Sequence, residues 1–95
     1  MRKYEIMVII DPDVDDRQVP TLLEKHLKVI TDGQGTIDSQ DIWGKRRMAY
    51  EINKKPEGIY AVLNVTAAPA VVSEMDRLMT IDEQIMRTKV MRTDK

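Results

Sequence analysis

The chain has no cysteine and no phenylalanine, a single histidine, a single tryptophan, and few glycines and prolines, four of each. Without cysteine there are no disulfides, no thiolate nucleophiles and no cysteine-based zinc sites, and the composition suits a reducing compartment. Readers of single-stranded RNA that stack bases on aromatics of their central strands carry a glycine–aromatic signature. That signature is missing here, and only Tyr60 is placed for such a role. The apolar run Ile6–Ile10 is five residues, far below the ~20 of a membrane helix. Met1-Arg2-Lys3-Tyr4-Glu5 and that short run, closed by Asp11-Pro12, do not make a secretory signal, so export is not expected.

Catalytic signals are equally sparse. His26 lies in a helical stripe with Leu22, Leu23, Leu27 and Ile30, the setting of a structural histidine, and no Ser-His-Asp set can be built around it. Asp11, Asp13, Asp15 and Asp16 lack the glycine and distal glutamate of a calcium loop and read as a helix-capping turn. Gly33 and Gly35 lack the rest of any phosphate-loop motif. The sequence is therefore expected to have no catalytic residues, no cofactor and no metal site.

What is present points to one small soluble domain spanning 1–95. The chain has 95 residues, 42% hydrophobic and 33% charged, enough for one core and not two. Residues 3–10 alternate as a strand, with Tyr4, Ile6, Val8 and Ile10 on one side. Val19, Leu22, Leu23, His26, Leu27 and Ile30 recur at helical spacing; Pro20 is tolerable in the first turn. Asp32-Gly33-Gln34-Gly35 ends that helix, with Gly33 in the left-handed cap conformation. Residues 36–52 favour strand, with a bulge at Gly44, and 53–58 form a turn. A strand over 59–66 follows, then a helix opened by Pro69 with Val71, Val72, Met75, Leu78 and Met79 as its stripe. A final strand covers 85–92. The order β-α-β-β-α-β and right-handed crossovers predict an α+β, ferredoxin-like sandwich. Its four-stranded antiparallel sheet has order 4-1-3-2, and both helices lie on one face.

Net charge is −1, which taken alone argues against nucleic acid. The charges are nevertheless grouped. Acids cluster before the first helix. Cations cluster at Arg2 and Lys3, at Lys45, Arg46 and Arg47, at Lys54 and Lys55, and at Arg87, Lys89 and Arg92. If Tyr4, Ile6, Val8 and Ile10 face the helices, the other sheet face shows Met7, Tyr60, Val62 and Met91 as an apolar patch rimmed by cations, a pattern that marks partner sites. Trp43-Gly44-Lys45-Arg46-Arg47 suits phosphate contacts and suits an edge strand protected by charge equally well. Trp43 itself reads as core or hairpin packing rather than a base-stacking platform.

Met1-Arg2-Lys3-Tyr4-Glu5-Ile6-Met7, the stretch Asp41-Ile42-Trp43-Gly44-Lys45-Arg46-Arg47-Met48-Ala49-Tyr50-Glu51-Ile52, Gly58-Ile59-Tyr60 and Arg87-Thr88-Lys89-Val90-Met91-Arg92 together resemble the bacterial small-subunit ribosomal protein six family across nearly the whole chain. The resemblance implies the same ferredoxin-like fold, a cytoplasmic ribosomal location, no catalytic activity and no cofactor. It also implies binding to the central domain of small-subunit ribosomal RNA together with small-subunit ribosomal protein eighteen. On that expectation Arg2, Lys3, Lys54, Arg87, Lys89 and Arg92 meet RNA, and Arg46 and Arg47 serve both RNA and protein. Met7, Trp43, Tyr60, Val62 and Met91 lie at or near the protein partner. The alternatives are a small dimeric ferredoxin-like enzyme or ligand sensor, and a regulator that binds messenger RNA.

Overall fold

The structure is a computed structural model and describes residues 1–52 and 54–93. Asn53, expected in a turn, lies outside the described residues. The elements are β1 (Arg2–Ile10), a 3-10 turn (Asp16–Gln18), α1 (Val19–Asp32), β2 (Thr36–Ile52), β3 (Lys55–Ala67), α2 (Pro69–Ile81) and β4 (Ile85–Arg92). They build one four-stranded sheet of order β2-β3-β1-β4, antiparallel at every pairing. This is the expected ferredoxin-like sandwich.

Alternation in the strands decides which face is covered. Ile6, Val8 and Ile10 of β1 and Ile59, Ala61, Leu63 and Val65 of β3 are all buried, and they join Leu23, Leu27 and Ile30 of α1 and Val72, Met75 and Met79 of α2 in a single core. Full burial of each large aliphatic side chain contributes about 1.5–3 kcal/mol, so this layer carries most of the stability. The other residues of β1, Lys3, Glu5, Met7 and Ile9, point to the face without helices.

Local details correct three expectations. Gly33 ends α1 with φ −85°; the left-handed residue is Gln34, with φ 67°. Glycine is needed at 33 and 35 for space instead. A Cβ at Gly33 would lie 2.7 Å from Val71, and one at Gly35 would lie 2.8 Å from Ala67 and Ile30, closer than packed atoms tolerate. Of the acidic group only Asp15 caps, accepting from the Arg17 N–H at 2.9 Å, while Asp11 and Asp13 bind Lys55. Finally, β3 begins at Lys55, so Lys55, Pro56, Glu57 and Gly58 belong to a strand and not to a turn.

His26 is buried at 3% exposure, and its Nε2 lies 2.8 Å from Asp82 Oδ2. Asp82 also accepts from the Gln84 N–H at 2.9 Å. Burial pushes the Asp82 carboxyl up, but the Gln84 N–H, His26 and nearby Lys25 outweigh it and hold the group below the usual carboxylate range. The lone histidine is thus a structural tie from α1 to the end of α2.

Candidate nucleic-acid interface on the uncovered face

The strand register lays out the uncovered face in rows. Met91, Glu5 and Asn64 form one row, Lys89, Met7 and Val62 the next, and Arg87, Ile9 and Tyr60 the third. Ser39, Asp41 and Gly44 of β2 continue these rows at the outer edge. The patch of Met7, Tyr60, Val62 and Met91 therefore forms as its spacing predicts. It is less open than expected: Val62 is 9% exposed and Ile9 8%, and Met7, Tyr60 and Met91 are half-buried.

The β2–β3 hairpin covers part of it. Arg47 pairs with Glu57 and Ile52 with Lys55, so residues 48–51 of β2 stand opposite Pro56 alone. Such an excess bends a strand strongly. The bend buries Met48 at 9% exposure, next to the space a Cβ of Gly58 would take. It also brings Tyr50 Oη within hydrogen-bonding reach of Arg87 Nη1. Met48, Ala49, Tyr50 and Ile52 thereby form one wall of a groove of about 250 Å³ whose other side includes Met7, Ile9 and Tyr60. Lys55 pins the hairpin to the end of β1, donating to Asp11 at 2.7 Å and Asp13 at 2.8 Å. The Lys55 hydrogen bond holds the Asp11 carboxyl below its usual range. Asp11 first, then Asp13, raise the Lys55 ammonium above its own.

Cations divide by location. Arg17, Lys25, Lys55 and Arg77 are paired with carboxylates. Among the described residues no side-chain hydrogen bond or ion pair engages Arg2, Lys3, Lys45, Arg46, Arg47, Lys54 or Lys89. Lys3 and Arg2 sit at the start of β1, where Thr93 N–H donates to Lys3 O at 2.9 Å, and Arg92 pairs with Tyr4 in register nearby. Arg46, Arg47, Lys54, Arg87 and Lys89 sit toward the hairpin. Six strand steps from Lys3 to Ile9 separate the two groups by about 20 Å. The cations of the strands therefore form two groups, one at the start of β1 and one at the hairpin, where Arg87 and Lys89 also line the apolar groove.

Trp43 is not core. It is 45% exposed and lies parallel to Tyr60, with ring centroids 6.3 Å apart at 4°. Its Nε1–H donates to Asp41 Oδ2 at 3.2 Å. The register shifts between Ile42 and Gly44, and Gly44 takes φ +88°, so the expected bulge is present and places Trp43 beside Tyr60.

Comparison with known proteins decides the family. The profile of ribosomal protein S6 matches residues 3–92. The chain belongs to the ribosomal protein S6 family. It is 65% identical over 94 residues to small ribosomal subunit protein bS6 of Cutibacterium acnes, covering 99% of this chain and 98% of that one. The bS6 protein of Mycobacterium tuberculosis is 58% identical over 95 residues, covering 100% and 99%. The crystal structure of 30S ribosomal protein S6 from Thermotoga maritima superposes with a TM-score of 0.89 at 32% identity, covering 97% of this chain and 87% of that one. As a member of the ribosomal protein S6 family the chain is a small-subunit ribosomal protein of the cytoplasmic ribosome and not an enzyme. Among the described residues no helix is long and apolar enough to cross a membrane.

Sequence reasoning missed Met48 and Tyr50 as parts of this face. The signal was weak but present: Met48, Tyr50 and Ile52 alternate, although their bend depends on a register excess that alternation does not encode.

Proposed function

We propose that the chain binds the central domain of small-subunit ribosomal RNA jointly with small-subunit ribosomal protein eighteen. The observation that carries this reading is the uncovered sheet face, where half-buried Met7, Tyr60 and Met91 adjoin Lys89 and Arg87, neither of which has an acidic partner among the described residues. Apolar surface with a charged rim fits a protein contact, while Arg and Lys side chains fit phosphate. Arg46, Arg47, Lys54, Arg87 and Lys89 supply one phosphate-binding group, and Arg2, Lys3 and Arg92 supply the other. Met7, Val62, Tyr60 and Met91 meet the protein.

With a net charge of −1, the lone chain neutralises few phosphates and binds RNA weakly. A second protein seated on the apolar groove adds its own cations, and each contact raises the effective concentration of the other. The test is RNA affinity with and without the partner, by filter binding at fixed salt. Strong enhancement by the partner is expected. Equal tight binding in both cases would overturn the joint mechanism.

A further inference from the structure

The feature of β2 that the proposed function leaves unexplained is Trp43. A tryptophan serving only to pack would bury most of its large apolar area, yet this one remains 45% exposed on the edge strand. Its orientation is fixed twice, by the Nε1–H donated to Asp41 and by the parallel Tyr60 ring. A ring already immobilised loses little further freedom when a ligand lies against it.

The surroundings are those of a nucleotide site. A groove of about 380 Å³ runs beside the ring, lined by Val19, Ile42, Lys45, Ile59 and Asp16. Apart from its chain neighbours Trp43 and Lys45, nothing lies within 4 Å of the place a Gly44 Cβ would take, so no more distant side chain blocks approach next to the indole. Lys45 is in register with Ile59 and Arg46 with Gly58, which puts the two cations on opposite faces of the strand within two or three residues of Trp43. Neither has an ionic partner among the described residues. Asp41 and Asp16 are the nearby acids. Asp41 is engaged by the indole, and both repel phosphate, which directs a bound strand toward Lys45 and Arg46.

We propose that Trp43, held parallel to Tyr60 at the β2 bulge, is a stacking site for an unpaired nucleobase of RNA, with Lys45 and Arg46 on the adjoining phosphates. This rests on the RNA-binding reading above and moves Trp43 from the protein contact to the RNA contact. A flat, exposed ring flanked by cations matches base stacking plus phosphate neutralisation, which tolerates any base. Paired RNA hides its base faces in the helix stack, so the ligand is a nucleotide in a loop, bulge or junction.

Trp43 is the chain's single tryptophan, so replacing it with 5-fluorotryptophan gives one ¹⁹F resonance that reports on this ring alone. The labelled chain is mixed with unlabelled small-subunit ribosomal protein eighteen and then with a central-domain RNA fragment, while binding is followed separately by anisotropy of labelled RNA. Because the protein seats on Tyr60, its addition alone is expected to shift the resonance slightly, and addition of RNA to shift it again and by more. Trp43→Leu is expected to weaken RNA binding about tenfold or more, with Trp43→Phe retaining part of the affinity. An RNA complex that forms with the ¹⁹F resonance unmoved overturns the stacking site and leaves the joint RNA-binding reading standing. A resonance that moves with the protein and no further with RNA also overturns it, returning Trp43 to the protein contact. Failure of the RNA to bind at all overturns the function proposed above, and this site with it.

Discussion

The two faces of the sheet are built from alternate residues of the same strands, yet they obey different rules. On the helix-covered face Ile6, Val8, Ala61, Leu63 and Val65 are all fully buried, and polar Thr88, in register with Val8, is satisfied by Asp76 of α2. On the uncovered face Met7 shares a row with Lys89, and Ile9 with Arg87. The first face is composed for stability. The second keeps enough apolar area to attract a partner and enough charge to remain soluble without one, a compromise typical of interfaces that form and must also exist apart. The hairpin belongs to the second face. It shields Ile9 with Met48 and occupies the Arg87 guanidinium with Tyr50.

Adjacent residues test this contrast most directly. Leu63 is fully buried among the helices, and Val62, its neighbour, faces the other way at 9% exposure. Leu63→Ala should lower unfolding stability by about 2–5 kcal/mol. Val62→Ala should cost about 1 kcal/mol while weakening attachment of the protein partner. Urea denaturation of both variants reads the first effect and a pull-down the second; equal stability losses would erase the distinction between the faces.

Next in size is the tie on the helix side. Asp82→Asn removes the charged acceptor from His26 and Lys25, and should cost about 1.5–3 kcal/mol near neutral pH. The sign of its pH dependence follows from the carboxyl being held low. The native state binds the Asp82 proton less readily than the unfolded chain, so the stabilisation is present above the ordinary value of 3.8 and disappears as pH falls through the lower native value. Asp11, held low chiefly by Lys55, acts in the same direction. Thermal melts between pH 6 and pH 2 should therefore fall more gently for Asp82→Asn than for the parent chain. Parallel curves would mean the tie contributes nothing.

On the uncovered face two glycines separate space from conformation. A Cβ at Gly58 would overlap the Ile9 side chain, so Gly58→Ala should cost about 1–3 kcal/mol by overpacking and push the hairpin off the groove. Gly44 has open space around it but φ +88°, so Gly44→Ala should cost about 1 kcal/mol through backbone strain alone. Hydrogen exchange tells the two apart: Gly58→Ala should speed exchange through residues 45–57, and Gly44→Ala only beside the bulge.

Most of this architecture was legible in the sequence because it rests on local periodicity. The two-residue alternation of β1 and β3 fixed which side chains face the helices, and the stripes of α1 and α2 named their partners. What escaped depends on pairings between distant residues. Lys55 reads as a solvent-facing cation until folding brings Asp11 and Asp13 to it across 44 and 42 positions. Gly33 reads as a left-handed cap until its φ of −85° and Val71 in the space of a side chain show that glycine is needed there for room. The excess of residues 48–51 over Pro56 cannot be read from either strand, since register belongs to the pair. The cation groups were visible along the chain, but their separation to the two ends of the sheet is a property of topology.

The smallest effect on stability carries the most information about function. Arg46 and Arg47 are exposed and lack ionic partners among the described residues, so Arg46→Ala with Arg47→Ala should change unfolding free energy by no more than about 0.5 kcal/mol. If the pair contacts phosphates, their loss weakens RNA binding across all sequences. It also reduces the slope of log affinity against log salt by about 1.4–1.8, since each phosphate neutralised contributes about 0.7–0.9. If they only protect the edge of β2 from pairing with another sheet, the salt slope stays where it was and the variant self-associates instead. The slope and the sedimentation profile of one protein preparation therefore decide between attraction for RNA and repulsion of neighbours, two roles that the same two charges fill equally well on an isolated strand.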